Sequence, residues 1–456
     1  MPVAGGDLLS NTGALFKIGY GTMKEAIRRE QPLLEIIKSK KRRLVGGGKY
    51  MEFPVHLRGD AGVGSRPEGV NTPIPTHDTV ESARVRPRYV YGVIRCSGQE
   101  LKMSESDEDA FASGLTKKKE WMADELAREF SRQIQGDGSG ILCQVTSTGN
   151  AVTHVVNGAG NQRTGAAAQT PVPGGTHYLR PGMQVAVVTV NATTGAFVSF
   201  NAGPSVATIA STAMPTGVTF SVAQNILAAG VGNVNVLVRA SALTTSDYAY
   251  SAEIWGLNAS ISANNPSTCG GVASAQTAFV SDAYLEIDRT AYDEWAAVIK
   301  GNSGVNTPLT PDLLPLHEVI RRIHDRCGKY PNHVLMAPSV YESYISALSG
   351  DTRYEPQKVK GGFLAGYPSF AHEKEMPILR DPAAAYNTCK FFNTNEMEWL
   401  EDFPLGWDET GGQLLKKIVG ADMFEAVMKF YGNLGIAEPY GTGALLDIET
   451  STQDSY

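Results

Sequence analysis

The sequence predicts an α+β chain in which a small all-β barrel or sandwich interrupts a charged body of helices and strands. Three observations carry that expectation. Between Asp137 and Asp282 only five side chains are charged (Arg163, Arg180, Arg239, Asp247 and Glu253) and none is a lysine, whereas both flanks are densely charged. Within that desert Met183–Asn191, Val218–Ala223 and Asn233–Arg239 alternate apolar and polar residues, with Gly or Asn at the breaks, as strands with one buried face do. On the flanks the period changes: Phe111, Leu115, Met122, Leu126, Phe130 and Ile134 recur at helical spacing, as do Leu316, Val319, Ile320, Ile323 and Cys327.

The totals narrow the function. A chain of 456 residues with 42% apolar content can build substantial cores, and its net charge of −7 disfavours a dedicated nucleic-acid reader, which needs a broad basic face. The first twenty residues lack the pattern of a signal peptide, and the longest aliphatic run, Val185–Val188, is far too short to cross a bilayer, so a soluble, intracellular product is expected. Five scattered cysteines (Cys96, Cys143, Cys269, Cys327 and Cys389) without a CxxC pair argue against a disulfide framework and a structural zinc site.

Taken in order, a Gly-rich start leads to a helix over Met23–Lys41 that Pro32 should kink or restart. Its end is basic, with Lys38, Lys40, Lys41, Arg42 and Arg43 within six residues; a solvated helix end and contact with an acidic partner or nucleic acid both account for it. Two β-type runs, Tyr50–Leu57 and Val85–Ile94, are separated by a stretch rich in Gly, Pro and Thr and suggest a long hairpin. Its alternating residues Phe53, Val55, Tyr89, Tyr91 and Val93 have no covering core nearby in sequence. Such a hairpin is marginal unless it lies on another surface. Ser104–Asp109 supplies capping and acidic first-turn residues for a helix expected to run to Gln135 and stop at Gly136. Beyond the β block, which ends near Trp255-Gly256-Leu257, the expected order is a helix ending before Gly328, a strand His333–Ala337 and a helix carrying Val340, Tyr344 and Leu348. A long loop over Gly350–Ala385 follows, then strands at Lys390–Phe392, Leu414–Val419, Phe424–Tyr431 and Ala444–Ile448.

Sequence-local chemistry is sparse. Gly160–Gly165 has phosphate-loop spacing, but Ala166 and Ala167 stand where Lys and Ser/Thr would hold phosphate and magnesium. Gly136–Gly140 places Gly at the nucleophile position of an elbow and reads as a helix-terminating turn, with Ser139 displaced by one. His317, His324 and Cys327 lie on neighbouring turns of one helix without a metal-binding context, and the acidic run Glu105–Asp109 lacks the alternation of a calcium loop. Trp399, Phe403 and Trp407 form either a sugar-binding strip or core beneath a loop. No catalytic residue, cofactor or metal is therefore assigned.

The order of these segments, together with ELAREFSRQIQGDGSGIL at Glu125–Leu142, WGLNASI at Trp255–Ile261, MFEAVMKFYG at Met423–Gly432 and GALLDI at Gly443–Ile448, resembles the tailed-bacteriophage major capsid protein family with the Hong Kong 97-like fold. The resemblance lies in order and spacing over nearly the whole chain. It implies an N-terminal arm and helix (1–46), an extended hairpin loop lying over a neighbouring subunit (47–103), and a peripheral domain with its spine helix (104–142). An inserted β domain (143–256), the peripheral domain continued (257–310), an axial domain (311–412) and C-terminal strands returning to the peripheral domain (413–456) complete it.

Under that resemblance Tyr50, Phe53, Val55, Tyr89, Tyr91 and Val93 are subunit-contact candidates, and the basic run at Lys38, Lys40, Lys41, Arg42 and Arg43 faces the lumen. The implied partners are copies of the chain in hexamers and pentamers, separate scaffolding, portal and decoration proteins, and packaged DNA contacted non-specifically, with no membrane; the implied location is the virion, assembled in the host cytoplasm. Two departures stand out: no charged scaffolding segment precedes Gly5, which implies a separate scaffold or a processed chain, and Lys49, at the hairpin's base, is the only lysine between Gly47 and Ile94, an unfavourable setting for isopeptide crosslinking. The competing classes are an oligomeric cytosolic enzyme or carbohydrate-binding protein using the β block, and another virion part such as a decoration or tail protein.

Overall fold

A computed structural model describes residues 32–39, 41–43, 50–60, 62–71, 74, 77–99, 108–136, 138, 140–156, 176–191, 197–200, 206–213, 217–230, 233–239, 253–261, 283–289, 291–301, 309, 313–349, 369–371, 375–384, 388–408, 415–446 and 448. The chain divides into two compact units, one of Met1–Glu30, Val90–Phe130 and Phe403–Tyr431, the other of Gln31–Tyr89, Ser131–Asp402 and Gly432–Tyr456. Among the described residues no helix is long and apolar enough to cross a membrane.

The long helix spans Glu108–Gln135, about 42 Å at ~1.5 Å per residue. Of its expected apolar stripe, Leu126, Phe130 and Ile134 are buried and Met122 half-buried, while the side chains of Phe111 and Leu115 lie outside the described set. It stops where Gly136 donates its N–H to the carbonyl of Gln133. The strand Met423–Ile436 has Arg88–Ser97, Lys416–Lys417 and Met397–Trp407 as its neighbours, and within the first unit Met122 and Leu126 of the helix pack against Gly92 of that sheet. Strand alternation assigns the faces: Ala426, Met428 and Phe430 are buried, and Phe430 meets Phe130 edge-on at 4.9 Å.

Within the desert the described strands form a closed β structure. Its strands run in the order Ile141–Val145, Asn233–Arg239, Gln184–Asn191, Ala207–Ala213, Gly217–Ile226 and Gly149–Val155, all antiparallel, with Phe197–Phe200 added on Gln184–Asn191. A bridge between Val145 and Val156 joins the last strand back to the first. Closure removes sheet edges and turns the alternating residues inward. Val185, Val188, Val190, Ile209, Val218, Phe220, Val236 and Val238 form the core, which explains why this stretch is rich in small and β-branched residues.

A six-stranded sheet, in the order Val298–Lys300, Gly443–Leu445, Cys389–Phe392, His333–Met336, Glu375–Arg380 and Ser369–Ala371, forms the centre of the second unit. The helix Leu314–Cys327 packs on it through Leu316, Val319, Ile320 and Ile323, all fully buried, and Pro338–Ser349 supplies a second helix.

Several expectations need correction. Of the helix expected over Met23–Lys41 the described part spans Pro32–Lys38, and residues 23–31 lie outside the described residues; Lys41–Arg43 is a strand parallel to Trp399–Glu401 rather than a helix end. The strand expected over Val85–Ile94 is two, because Pro87 has no N–H to continue a ladder: Thr79–Val85 pairs with Met51–Arg58, while Arg88–Ser97 joins the sheet of Met423–Ile436. The loop expected over Gly350–Ala385 contains the strands Ser369–Ala371 and Glu375–Arg380, and the strand expected over Leu414–Val419 is only Lys416–Lys417.

Candidate assembly surfaces and the neck of the β block

The hairpin Met51–Arg58/Thr79–Val85 has a base held by the subunit itself and an exposed far end. At the base Ala83 and Val85 are fully buried, and the Arg84 N–H donates to the carbonyl of Leu285 at 2.9 Å. Ion pairs fix its flank: Arg58 to Glu294 at 2.7 Å, and Arg84 to Glu52 at 3.2 Å and to Glu286 at 3.3 Å. Tyr292 donates to Glu81 at 2.9 Å, and this bond raises the phenol pKa. Hydrogen bonding from Ser82 holds the Glu52 carboxyl below its ordinary range. Toward the tip Val63 and Ile74 are 92% and 84% exposed, apolar surface left uncovered by the described residues.

The contact candidates divide between elements. Tyr50, Phe53 and Val55 lie on or beside the hairpin: Tyr50 is exposed under the Arg84 guanidinium at 5.2 Å, Phe53 is half-buried and Val55 buried. Tyr89, Tyr91 and Val93 lie instead on Arg88–Ser97, all exposed. In the first unit Tyr91, Tyr431 and Phe403 form an aromatic row on the sheet face opposite the long helix, with centroid separations of 5.9 Å and 5.6 Å. Beside it Arg95 pairs with Glu425 at 2.9 Å, and Asp408 with Lys416 and Lys429 at 2.8 Å and 2.7 Å.

Of the basic run, Lys38 is exposed, Lys41, Arg42 and Arg43 are described as strand backbone, and Lys40 lies outside the described residues, as do Lys49, Ser139 and Gly160–Gly165. His324 stacks on Tyr330 at 4.1 Å, and the Cys327 thiol donates to the carbonyl of Ile323 at 3.1 Å. Among the described residues no three His, Cys, Asp or Glu groups gather as a metal site. Trp399 is buried, Phe403 exposed and Trp407 half-buried, all three on the strand Met397–Trp407.

The feature that sequence reasoning marked only by its two end motifs is the neck where the β block joins the rest of the second unit. Gly138, at φ 85°, lies so close to Trp255 that a Cβ there would sit 2.5 Å from the indole Cδ1. Gly256 lies against the end of the long helix, where a Cβ would meet the Ile134 carbonyl oxygen at 2.2 Å. Buried Arg132 donates to buried Glu253, and the N–H of Ile254 donates to Gln133 Oε1 at 3.3 Å. The two ends of the block thus leave the body side by side. Fully buried Asn433 ties them to the hairpin, accepting from the Trp255 N–H at 2.9 Å and donating to the Arg86 carbonyl at 2.8 Å.

A second buried network finishes the long helix. The Lys390 ammonium donates to the Gln135 carbonyl and side-chain oxygen, each at 3.2 Å, setting a cation at the helix's negative end. Gln135 donates to Asp381 at 3.1 Å, which accepts from the Ala383 N–H at 2.8 Å; Tyr178 of the β block donates to the Ala383 carbonyl at 2.7 Å. Burial raises the Asp381 pKa against those bonds. The signal available in sequence was the Gly-rich pair of motifs at Gly136–Gly140 and Trp255–Leu257; the polar partners carried none.

No protein-family model matches this chain, and no curated protein matches it. Solved structures do. A chain titled as the cyanophage A-1(L) capsid asymmetric unit superposes with a TM-score of 0.54 at 12% identity, covering 94% of this chain and 95% of that one. A chain of the capsid of an empty GTA particle gives 0.45 at 8% identity over 94% and 95%, and one of Gordonia phage Cozz 0.41 at 10% over 98% and 97%. At such identities the likeness speaks to fold, and the first of them spans nearly both chains. The chain has the fold of a phage capsid protein.

Proposed function

We propose that this chain is a major capsid subunit, with the Hong Kong 97-like fold, that self-assembles into the icosahedral head shell of a tailed bacteriophage around double-stranded DNA. The observation that carries the reading is the likeness to a cyanophage capsid chain across 94% of the sequence. The hairpin supports it: a base fixed by ion pairs and a tip with bare Val63 and Ile74 suit a segment that finds its cover on a neighbouring subunit.

In this reading residues 47–103 lie over the adjacent copy, 104–142 form the spine helix, 311–412 the axial domain and 413–456 the returning strands. Residues 143–256 are an added β domain, a reading supported by strands that close on themselves and by a neck whose two ends are adjacent. Hexamers and pentamers of one chain are held by many modest contacts, with scaffolding, portal and decoration proteins as separate partners. The chain's net charge of −7 suits a container that does not grip its genome, and the run Lys38–Arg43 faces the lumen. The virion is its location, after assembly in the host cytoplasm. Electron microscopy of purified protein tests the reading: closed shells of uniform size, or hexamers and pentamers, are expected, and discrete small oligomers that turn over a substrate would sink it.

A further inference from the structure

Arg88 is the exception among the arginines around it. Arg58, Arg84, Arg86 and Arg95 each meet a carboxylate at ion-pair distance within the subunit. Arg88 meets none among the described residues; it is half-buried, its Nε is enclosed without a hydrogen-bond partner, and its guanidinium stands 5.6 Å over the Trp255 ring. Burial, then the nearby charge of Arg86, lower its pKa, so the subunit does nothing to compensate this cation. Guanidinium donors lie in the plane of the group, and stacking on an indole therefore leaves them unused.

We infer that Arg88 is the docking point for a carboxylate of a second copy of this chain. The inference rests on the proposal that copies assemble, and it adds which cation they use. Three observations fit that occupant. The chain carries 47 acidic against 40 basic residues, so a second copy offers surplus carboxylates. A cation on an indole beside Tyr89, which is 57% exposed, has the composition of an interface anchor. A phosphate backbone would call for several available cations in a row, whereas the neighbouring Arg86 is already bound to Glu286.

The test compares full-length wild type, R88M and R88K by sedimentation velocity for association, thermal unfolding of the dissociated subunit, and retention of a double-stranded DNA fragment. Expected are an R88M subunit at least as heat-stable as wild type, because an uncompensated half-buried cation is gone, and association weakened about tenfold or more. R88K, with charge but no planar fork, should fall between. Association unchanged in R88M overturns the inference, as does a destabilised R88M subunit, which would make Arg88 a packing residue, or loss of DNA retention alone, which would make the partner phosphate. Wild type that associates without forming shells refutes the shell reading and leaves the Arg88 comparison readable; wild type that stays monomeric refutes both.

Discussion

Replacing Gly256 with alanine adds one methyl group at the tightest point of the neck. The new Cβ would lie 2.2 Å from the Ile134 carbonyl oxygen, 2.4 Å from its carbon and 2.5 Å from the Gln133 oxygen, all backbone atoms at the end of the long helix. Those distances are roughly 1 Å or more short of ordinary contact, and no side chain can rotate to relieve them. Either the helix end or the Trp255–Ile261 segment must retreat, straining the bonds that hold it: Ile254 N–H to Gln133, Trp255 N–H to Asn433, and the Arg132–Glu253 pair. Overpacking costs ~1–3 kcal/mol, and a backbone clash belongs at the top of that range. A loss of ~3 kcal/mol is a change of about 150-fold in the folded-to-unfolded ratio. Urea titration of the dissociated chain, followed by tryptophan fluorescence, reads it. G406A is the control, since a Cβ there meets nothing closer than the Pro404 oxygen at 3.6 Å. A G256A chain that unfolds with G406A and wild type would refute the close approach.

Breaking the buried Arg132–Glu253 pair through E253Q should cost ~3–5 kcal/mol by stranding a buried cation, whereas R132M with E253M together should cost much less; equal losses in urea titration would show that the pair itself, and not the stranded cation, carries the cost. Asp381 sets a pH dependence. Because burial raises its folded pKa, the folded state holds the proton more tightly than the unfolded chain, and its contribution to stability declines as pH rises from the ordinary aspartate value through the folded one. D381N should remove that decline, seen as a smaller loss of unfolding free energy between mildly acidic and neutral pH than in wild type. Glu318 runs the other way: its bond to Lys300 lowers its pKa, so its stabilisation is present above the ordinary glutamate value and lost as pH falls through the folded one. E318Q should flatten the acid limb of the stability profile.

The sequence was most legible where a pattern repeats. The long helix, the buried stripe Leu316–Ile323 and the closed β block follow from period alone, because burial of one face forces the same spacing on many residues. Pairing was less legible. Val85–Ile94 reads as one strand by composition, and only Pro87 marks that its halves belong to different sheets. Buried polar residues were not legible at all: Asn433, Lys390, Gln135 and Asp381 have the composition of surface residues, and what encloses them comes from segments hundreds of positions away. The same holds for Arg88, whose lack of a carboxylate is a property of space, not of its neighbours in the chain.

The neck has a consequence for how such a chain can change. The β block departs and returns side by side, with Gly138 against Trp255 and Gly256 against Ile134 setting both of its ends whatever the number of residues between them. Lengthening a tethered segment adds only ~0.6 kcal/mol of closure entropy per doubling. A closed β structure also brings its own core and needs none from its host. In the reading proposed above the block is a socketed part, whose outer surface can be acquired, lost or exchanged while its host keeps its geometry.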